Sequence, residues 1–283
     1  MRIKAFTLVE LLVALAIVAA LTAILFPVFA RAERAAYRAK CTSNFRQTVI
    51  AAGVYQQDYD DYHVIVRYQA EAPPSGTKDR IWPQLILPYL TDIRGMHCPA
   101  DHSHEWETEA LFDEDLTVGD TWARFYAAAQ RVNTGYNAVY FAPMVRTNPG
   151  RWISLPRTSS SVTDPSATLV LGDSVWRVNE DGRPYGGGHY LIVPPCRYTD
   201  SNRRDTFELA GVNDDSIFTA NLTWSPNGEQ GGLWGWHEGM ITVAFADGHI
   251  AARTRDRIVD GCDTRPEWRG KVFDAARYLW DLR

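Results

Sequence analysis

The sequence lacks an excess of charge of either sign. Its 29 lysine and arginine residues oppose 34 aspartate and glutamate residues, and the formal net charge of -5 argues against a protein whose whole surface binds nucleic acid. Cysteine is scarce, with four residues, and 283 residues suffice for a core of ordinary size, so a small disulfide scaffold is excluded. Hydrophobic content (46%) and charged content (22%) stand near globular averages, which excludes bulk disorder and a multi-span membrane protein.

The common signatures of catalysis are missing as well. The sequence contains no G-x-S-x-G, Walker A, H-E-x-x-H or dinucleotide fingerprint. Ser174, in the run Gly172-Asp173-Ser174, is expected to end a buried strand rather than to act as a nucleophile. We therefore expect that this protein is not an enzyme.

One long apolar run stands near the N-terminus. It extends from Phe6 to Ala30 and contains a single charge, Glu10. As a helix with a rise of about 1.5 Å per residue it reaches roughly 37 Å, which exceeds a hydrocarbon core of about 30 Å. A short basic leader with Arg2 and Lys4 precedes it, as in export signals. The segment is therefore expected to target the chain to a membrane.

Three interpretations of this segment are open. A signal peptide would be cut after Ala32, where Ala30 and Ala32 form an A-x-A site, and would release a soluble protein. An uncut helix would anchor the chain. Both leave Glu10 without a partner, although a carboxylate inside an apolar segment costs roughly a few kcal/mol. In the third interpretation the first five residues are removed, and a new α-amino group appears on Phe6, one helical turn before Glu10 and on the same face.

The letters FTLVE at residues 6–10, followed by an apolar helix, resemble the processing box of type IV pilins and type II secretion pseudopilins. The resemblance implies that a prepilin peptidase cuts between Ala5 and Phe6 and methylates the new amine of Phe6. It implies that Glu10 guides assembly into a filament. This family usually has Gly before the cut, whereas this chain has Ala5. The implied partners are the prepilin peptidase, other copies or related pilin subunits, and inner-membrane lipids; no nucleic acid is expected.

The resemblance also implies a domain organisation. Residues 1–5 form the leader, residues 6–30 the transmembrane and assembly helix, residues 31–60 its amphipathic continuation, and residues 61–283 a globular domain outside the cytoplasm. The expected location is the inner membrane, crossed once, with a surface or periplasmic filament after assembly. A count of basic residues on the two flanks does not favour a cytoplasmic N-terminus, so this orientation rests on the resemblance.

An apolar stripe past Ala30 predicts that the helix continues beyond the membrane. Steps of three and four residues mark one helical face and indicate a helix from about Phe6 to about Gln57. The stripe consists of Tyr37, Cys41, Phe45, Thr48 or Val49, Ala52, Tyr55 and Tyr59. Pro27 lacks an N–H and should kink or locally unwind the helix. The letters DYDDY at 58–62 should end it.

Beyond residue 62, short apolar runs split by turn residues predict an α+β fold with a mostly antiparallel sheet lying on the long helix. The predicted strands are His63 to Tyr68, Gly135 to Phe141, Thr168 to Leu171, Tyr190 to Val193 and Met240 to Ala246. The predicted short helices are Trp82 to Leu90, Thr121 to Gln130 and Val272 to Leu282.

The clearest local pattern lies near the C-terminus. Apolar residues alternate at 241–245, and Asp247-Gly248 then predicts a two-residue hairpin turn. His237 precedes Asp247 with nine residues between them, which resembles the H-x9-D-G signature at the C-terminal end of a large pseudopilin-like family. We expect Asp247 and Gly248 to form the turn and His237 to make a structural hydrogen bond, because the intervening strand keeps His237 and Asp247 roughly 20 Å apart.

Possible metal ligands crowd into residues 97–104, where the sequence contains His97, Cys98, Asp101, His102 and His104. Their spacing matches no standard zinc pattern, so a polar surface loop is favoured, with His97, His102 and His104 as the candidate ligands. Residues 179–182 and 213–215 are rich in oxygen ligands and raise the alternative of calcium, but neither run forms an EF-hand loop. No resident cofactor is expected.

The four cysteines, Cys41, Cys98, Cys196 and Cys262, allow three pairings in an oxidising compartment, and the sequence leaves the choice open. A bond between Cys41 and Cys98 would tie the helix to the domain, whereas a buried thiol at Cys41 is the alternative.

Together these patterns predict a prepilin-like structural subunit that is assembled through its N-terminal helix into a type IV pilus or a type II secretion pseudopilus. The alternative is a surface protein with binding or hydrolytic activity, released by a signal peptide or anchored in the membrane, that does not polymerise.

Overall fold

The structure is a computed structural model, and it describes residues 7–68, 80–103, 128–147, 151–196, 232–263 and 271–280. A long N-terminal helix packs its second half against antiparallel β-sheets, which confirms the predicted α+β, pilin-like fold.

The long helix, α1, spans Leu8–Asp58. Thr7 caps its first turn in an extended conformation, and Asp60 and Asp61 end it with φ values of 51° and 66°, where the helix cannot continue. The predicted limits, Phe6 and Gln57, differ from these by one or two residues. The helix runs through Pro27 without interruption, so it is not unwound there, and the kink stays a prediction. The proline removes one backbone donor, and the hydrogen bonds of the flanking turns hold the helix together.

The two halves of α1 differ in their surroundings. Large apolar side chains from Leu8 to Phe29 are between 54% and 76% exposed, so the globular domain covers none of them. The buried side chains begin later and recur with helical spacing at Cys41, Asn44, Phe45, Thr48, Ala51 and Tyr55. Ala51 is the buried alanine rather than the predicted Ala52, and Tyr59 is exposed.

The remaining elements are short. The strands are β1 (Arg67–Tyr68), β2 (Arg80–Ile81), β3 (Thr134–Tyr136), β4 (Met144–Thr147), β5 (Arg151–Ser154), β6 (Leu169–Asp173), β7 (Arg177–Val178), β8 (Pro184–Tyr185), β9 (Ile241–Phe245), β10 (Ile250–Arg253), β11 (Cys262–Asp263) and β12 (Lys271–Val272). The short helices are α2 (Trp82–Leu85), α3 (Ala138–Phe141) and α4 (Arg255–Ile258), with 3-10 turns at Leu87–Tyr89, Ile93–Met96 and Ser159–Ser161.

A four-stranded antiparallel sheet in the order β10-β9-β6-β3 forms the centre of the domain. All five residues of β9 are buried, because β9 lies between β10 and β6 and packs against α1. The largest fully buried side chains of the core include Trp82, Tyr136, Tyr140, Phe141 and Trp280. The other described strands form four two-stranded antiparallel pairs, β1-β2, β4-β5, β7-β8 and β11-β12.

Several predicted strands are shorter than expected. The strand predicted over Gly135 to Phe141 ends at Tyr136 and gives way to α3, because the Asn137 side chain donates to the carbonyl oxygens of Leu169 and Trp280 (both 2.9 Å) and turns the chain. Residues 63–68 are extended only at β1, and residues 190–193 form one isolated bridge. The predicted strands at 168–171 and 240–246 are confirmed as β6 and β9.

The predicted helices were less accurate. The helix over Trp82 to Leu90 breaks after Leu85 into a 3-10 turn, because Pro88 has no N–H to donate. The helix over Val272 to Leu282 is wrong: β12 pairs with β11, and turns follow up to Trp280, whose indole N–H donates to the carbonyl oxygen of Ile258 at 3.0 Å. Most of the helix predicted over 121–130 lies outside the described residues.

The hairpin β9-β10 is present, but its turn is longer than predicted. Ile250 pairs with Ala244, and the Phe245 N–H donates to the His249 carbonyl oxygen at 3.0 Å, which leaves Ala246, Asp247 and Gly248 as a three-residue loop. Gly248 alone has a positive φ, +89°, and its N–H donates to the Phe245 carbonyl oxygen at 2.9 Å. Three-residue hairpin loops need one left-handed residue rather than two, which is why Gly248 suffices.

Candidate functional site

The first turn of α1 contains a closed hydrogen-bonded unit. The Thr7 backbone N–H and the Thr7 hydroxyl both donate to Glu10 Oε2, at 2.9 and 2.7 Å, while the Glu10 N–H donates to the Thr7 hydroxyl at 3.3 Å. This is a capping box, in which the side chains of Thr7 and Glu10 each accept a hydrogen bond from the other residue's backbone N–H. It fixes the carboxylate at the start of the helix, beside the Thr7 backbone N–H. Ala5 and Phe6, the predicted cleavage and methylation residues, lie outside the described part of the chain.

Thr7 is the residue of this site that we did not predict. The T-x-x-E spacing at 7–10 is the signal that identifies it, because a threonine three residues before a glutamate at the start of an apolar run marks a capping box.

The apolar surface that follows this turn is continuous. Within the described residues, α1 is the one helix that is long and apolar enough to cross a membrane, by length and hydropathy. Because the side chains from Leu8 to Phe29 make no burying contact with the domain, this surface is open to lipid or to another helix.

A disulfide bond links the helix to the domain. Cys41 of α1 is bonded to Cys98, with 5.4 Å between the Cα atoms, and Cys196 is bonded to Cys262, with 5.9 Å. The first bond ties the second half of α1 to the domain. The Asn44 side chain adds a hydrogen bond of 2.9 Å to the carbonyl oxygen of His97 next to it.

His237 lies against the first disulfide, 8% exposed, with Nε2 3.5 Å from Cys98 Sγ. Burial lowers the pKa of His237, and the nearby positive charge of Arg38 lowers it further. Asp247 lies instead at the tip of the hairpin, where it accepts from the His249 N–H at 3.0 Å and its own N–H donates to the Pro165 carbonyl oxygen. The two residues of the H-x9-D-G pattern thus hold different parts of the domain.

The candidate metal ligands that the structure describes, His97 and His102, belong to no group of three ligand atoms close enough to hold a metal. The ring of His102 is exposed and packs edge-on to Tyr37 at 6.1 Å, and His104 lies outside the described residues. Among the described residues, the group with three ligand atoms within 4.8 Å of one another is Cys41, Cys98 and His237, and it does not include the candidates His97 and His102. Its two sulfur atoms are bonded to each other, so they are not thiolates that would hold a metal.

The oxygen-rich run near residue 180 forms a turn. Asn179 Oδ1 accepts from the N–H groups of Asp181 and Arg183, at 3.1 and 2.8 Å, and so closes the turn between β7 and β8. The second oxygen-rich run, 213–215, which raised the alternative of calcium, lies outside the described residues.

Ser174 is bound within the domain. Its hydroxyl donates to the carbonyl oxygen of His189 at 2.7 Å and accepts from the His189 N–H at 3.1 Å. The neighbouring Asp173 is fully buried, and its Oδ2 accepts from the Thr242 N–H at 2.7 Å. Burial raises the pKa of Asp173 to about 7, and the bond from Thr242 opposes part of that rise.

The long helix, half exposed and half packed on an antiparallel sheet, defines a protein of pilin-like architecture. At its N-terminus, residues 1–26 match the family model described as the prokaryotic N-terminal methylation motif. This match supports a pilin-like prepilin protein that a prepilin peptidase processes. No curated protein and no solved structure matches the chain.

Proposed function

We propose that this protein is a structural subunit of a type IV pilus or a type II secretion pseudopilus. Its prepilin peptidase cuts between Ala5 and Phe6 and methylates Phe6, and the mature chains then assemble through α1. The observation that carries the proposal is the apolar surface from Leu8 to Phe29, which the chain's own domain leaves uncovered. Such a surface is stable in lipid, and outside the membrane it requires neighbouring helices.

The position of Glu10 supports assembly rather than simple anchoring. An anchor helix has no use for a carboxylate one turn inside an apolar segment. Thr7 holds this carboxylate beside the point where the cut creates a new amine, and Oε1 accepts no hydrogen bond from the described residues. Glu10 Oε1 is therefore free to accept a hydrogen bond from a terminal amine of the same chain or of a neighbouring chain. Because Glu10 lies at a fixed position along α1, a bond between chains would set the register of packed helices.

The course of α1 disfavours the released-protein alternative. A signal-peptide cut after Ala32 would fall within a continuous helix, nine residues before the disulfide at Cys41. It would also remove the whole apolar surface. The disulfide instead fixes the domain to the helix that enters the membrane, as a subunit carrying its domain on the outside of a filament requires.

We further propose that the domain is structural and carries neither catalytic activity nor a resident cofactor. The hydroxyl of Ser174 is used twice in bonds to His189, and His237 and Asp247 hold separate parts of the fold. The domain faces away from the cytoplasm, and successive subunits contact one another through unlike surfaces, as an open helical polymer demands.

The test compares Glu10→Val with Glu33→Val in cells that carry the matching secretion or pilus machinery. Glu33 is the next acid along the same helix and lies outside the apolar segment, so its replacement removes a charge without touching the first turn. We expect Glu10→Val to reduce sheared filaments at least tenfold, with an unchanged amount of chain in the membrane fraction, and Glu33→Val to assemble normally.

Mass spectrometry of the mature N-terminus accompanies this assay. N-methylated Phe6 is the expected result, an N-terminal Glu33 would establish a signal peptide, and an intact Met1 would establish a plain anchor. Filaments that persist unchanged in Glu10→Val would refute the role given to the carboxylate.

A further inference from the structure

A positively charged cleft lies where α1 leaves its apolar segment. It has a volume of about 250 Å³ and is formed on one side by three arginines of α1 and on the other by the loop at 236–238. Arg31, Arg34 and Arg38 are spaced by three and four residues, so their side chains share one face of the helix.

The loop side of the cleft is held rigidly. The Trp236 indole N–H donates to the Ser174 carbonyl oxygen at 3.0 Å, which fixes the half-buried ring at the cleft wall. Glu238 adopts a positive φ of 56° in a tight turn and places its carboxylate 3.1 Å from Arg34 Nε. Both side chains of that pair are mostly exposed, so water and a ligand have access to it.

The charges of the cleft do not balance. Its lining contains three arginines and one carboxylate, Glu238, and within the described residues neither Arg31 nor Arg38 forms a salt bridge. The site is therefore suited to an anion with several oxygen acceptors, since guanidinium groups bind phosphate oxygens with paired N–H donors.

The position of the cleft along α1, just beyond the apolar segment, identifies the source of that anion. Phe29 is the last large exposed apolar residue of the first half of α1. At about 1.5 Å per residue, Arg31, Arg34 and Arg38 lie about 3, 7 and 13 Å farther along the helix, and helical side chains lean back toward the N-terminus. The headgroup layer on one side of a bilayer is about 5–8 Å deep, so Arg31 and Arg34 lie at the level of lipid phosphates. Arg38 starts outside this layer, and its long side chain leans back toward it. A tryptophan at this level is also typical of membrane interfaces.

We propose that this cleft binds the phosphodiester of an anionic phospholipid, with Arg31, Arg34 and Arg38 as the phosphate ligands, Trp236 as the wall against the glycerol backbone, and Glu238 as a competing internal anion that limits affinity. The bound lipid would orient the domain relative to the membrane before assembly. The proposal depends on α1 spanning the membrane, as proposed above, and does not depend on filament formation.

The test uses the full chain reconstituted in vesicles of equal phosphatidylcholine and phosphatidylglycerol. After extraction in mild detergent, mass spectrometry measures the ratio of retained phosphatidylglycerol to retained phosphatidylcholine. The wild type should retain the anionic lipid preferentially. Replacing Arg34 and Arg38 by Gln should lower that ratio by about fivefold per arginine. A matched control, Lys40→Gln with Arg46→Gln, removes two cations from the same helix outside the cleft and should leave the ratio near that of the wild type.

Glu238→Gln should raise the ratio, because it removes the carboxylate that pairs with Arg34 and leaves that guanidinium group to the lipid. Equal losses in the cleft pair and the control pair would overturn the proposal, since they would show attraction to surface charge without a site. Inorganic phosphate at the same concentration as the lipid should leave the ratio unchanged; displacement of the lipid at that concentration would overturn the assignment to a lipid. Recovery of the chain in the membrane fraction checks anchoring separately, so a failure of the cleft is distinguishable from a failure of the proposed function.

Discussion

Asp173 should make the stability of the domain depend on pH. Its carboxyl group is fully buried in β6, where Oδ2 accepts from the Thr242 N–H and Oδ1 has no partner among the described residues. Burial raises its pKa from an ordinary 3.8 to about 7. The folded state therefore holds a proton that the unfolded state has already lost between pH 4 and pH 7.

The sign and size of the effect follow from that difference. Because the folded state binds more protons in this range, the free energy of unfolding falls as pH rises from about 4 to about 7. About three pKa units at about 1.4 kcal/mol each amount to about 4 kcal/mol, as an order of magnitude. The full contribution is present below pH 4 and is lost above pH 7.

Asp173→Asn isolates this contribution, because asparagine keeps the acceptor for Thr242 and does not ionise. Its amide introduces a buried donor with a cost independent of pH, so the informative quantity is the pH dependence of the difference between variant and wild type. Between pH 4 and pH 8, we expect the free energy of unfolding of the variant to rise by about 4 kcal/mol relative to that of the wild type. Asp256→Asn, which removes an exposed carboxylate from α4, should follow the wild type.

Urea unfolding of the full chain in detergent micelles, followed by tryptophan fluorescence with the disulfides intact, measures this difference. Parallel pH profiles for the wild type and Asp173→Asn would refute the reasoning. They would show that Asp173 titrates in the folded state as it does in the unfolded chain.

Two further predictions concern the backbone and the covalent links. Replacing Cys41 and Cys98 together by Ser removes a bond that closes a loop with a sequence separation of 57 and so restricts the unfolded chain. The free energy of unfolding should fall by about 4 kcal/mol in the same urea assay. An unchanged urea midpoint would contradict the stabilising role of the bond. Gly248→Ala should cost about 1 kcal/mol, because φ is +89° there although the added Cβ would meet only Val49 Cγ1 at 3.6 Å. Gly53 lies inside α1, and no atom lies within 4 Å of an added Cβ there. Gly53→Ala should therefore raise the free energy of unfolding by about 1 kcal/mol. Changes of equal sign at Gly248 and Gly53 would contradict the argument from backbone conformation.

The features predictable from the sequence were those with a local cause. The apolar run and the stripe from Tyr37 to Tyr55 predicted α1 to within two residues at each end, since helical spacing reports which face is buried. The alternation at 241–245 and the Asp247-Gly248 turn signal predicted β9 and its hairpin, although all five residues of β9 are buried. The turn length was missed by one residue, because Asp-Gly fits both a two-residue loop and the end of a three-residue loop.

Two of the errors originate in distant contacts. The apolar letters at 138–141 suit a strand, yet Asn137 bonds to Leu169 and Trp280 and starts a helix there. The C-terminal segment has a helical pattern, but pairing with β11 and the anchoring of Trp280 replace the helix with turns. In both places the burial of side chains against partners far along the chain outweighs local preference, which amounts to only about 1 kcal/mol per residue.

The sequence by itself determined that a long apolar helix leads the chain, that Glu10 interrupts it, and that an α+β domain follows, because each of these is encoded in neighbouring residues. Only the tertiary structure decided that Cys41 is bonded to Cys98, that Asp173 is buried, and that the loop of Trp236 closes a cleft against Arg31 and its neighbours. These features bring together residues up to about two hundred positions apart, and no local pattern specifies such distances: they result from the one packing arrangement that buries the core around β9.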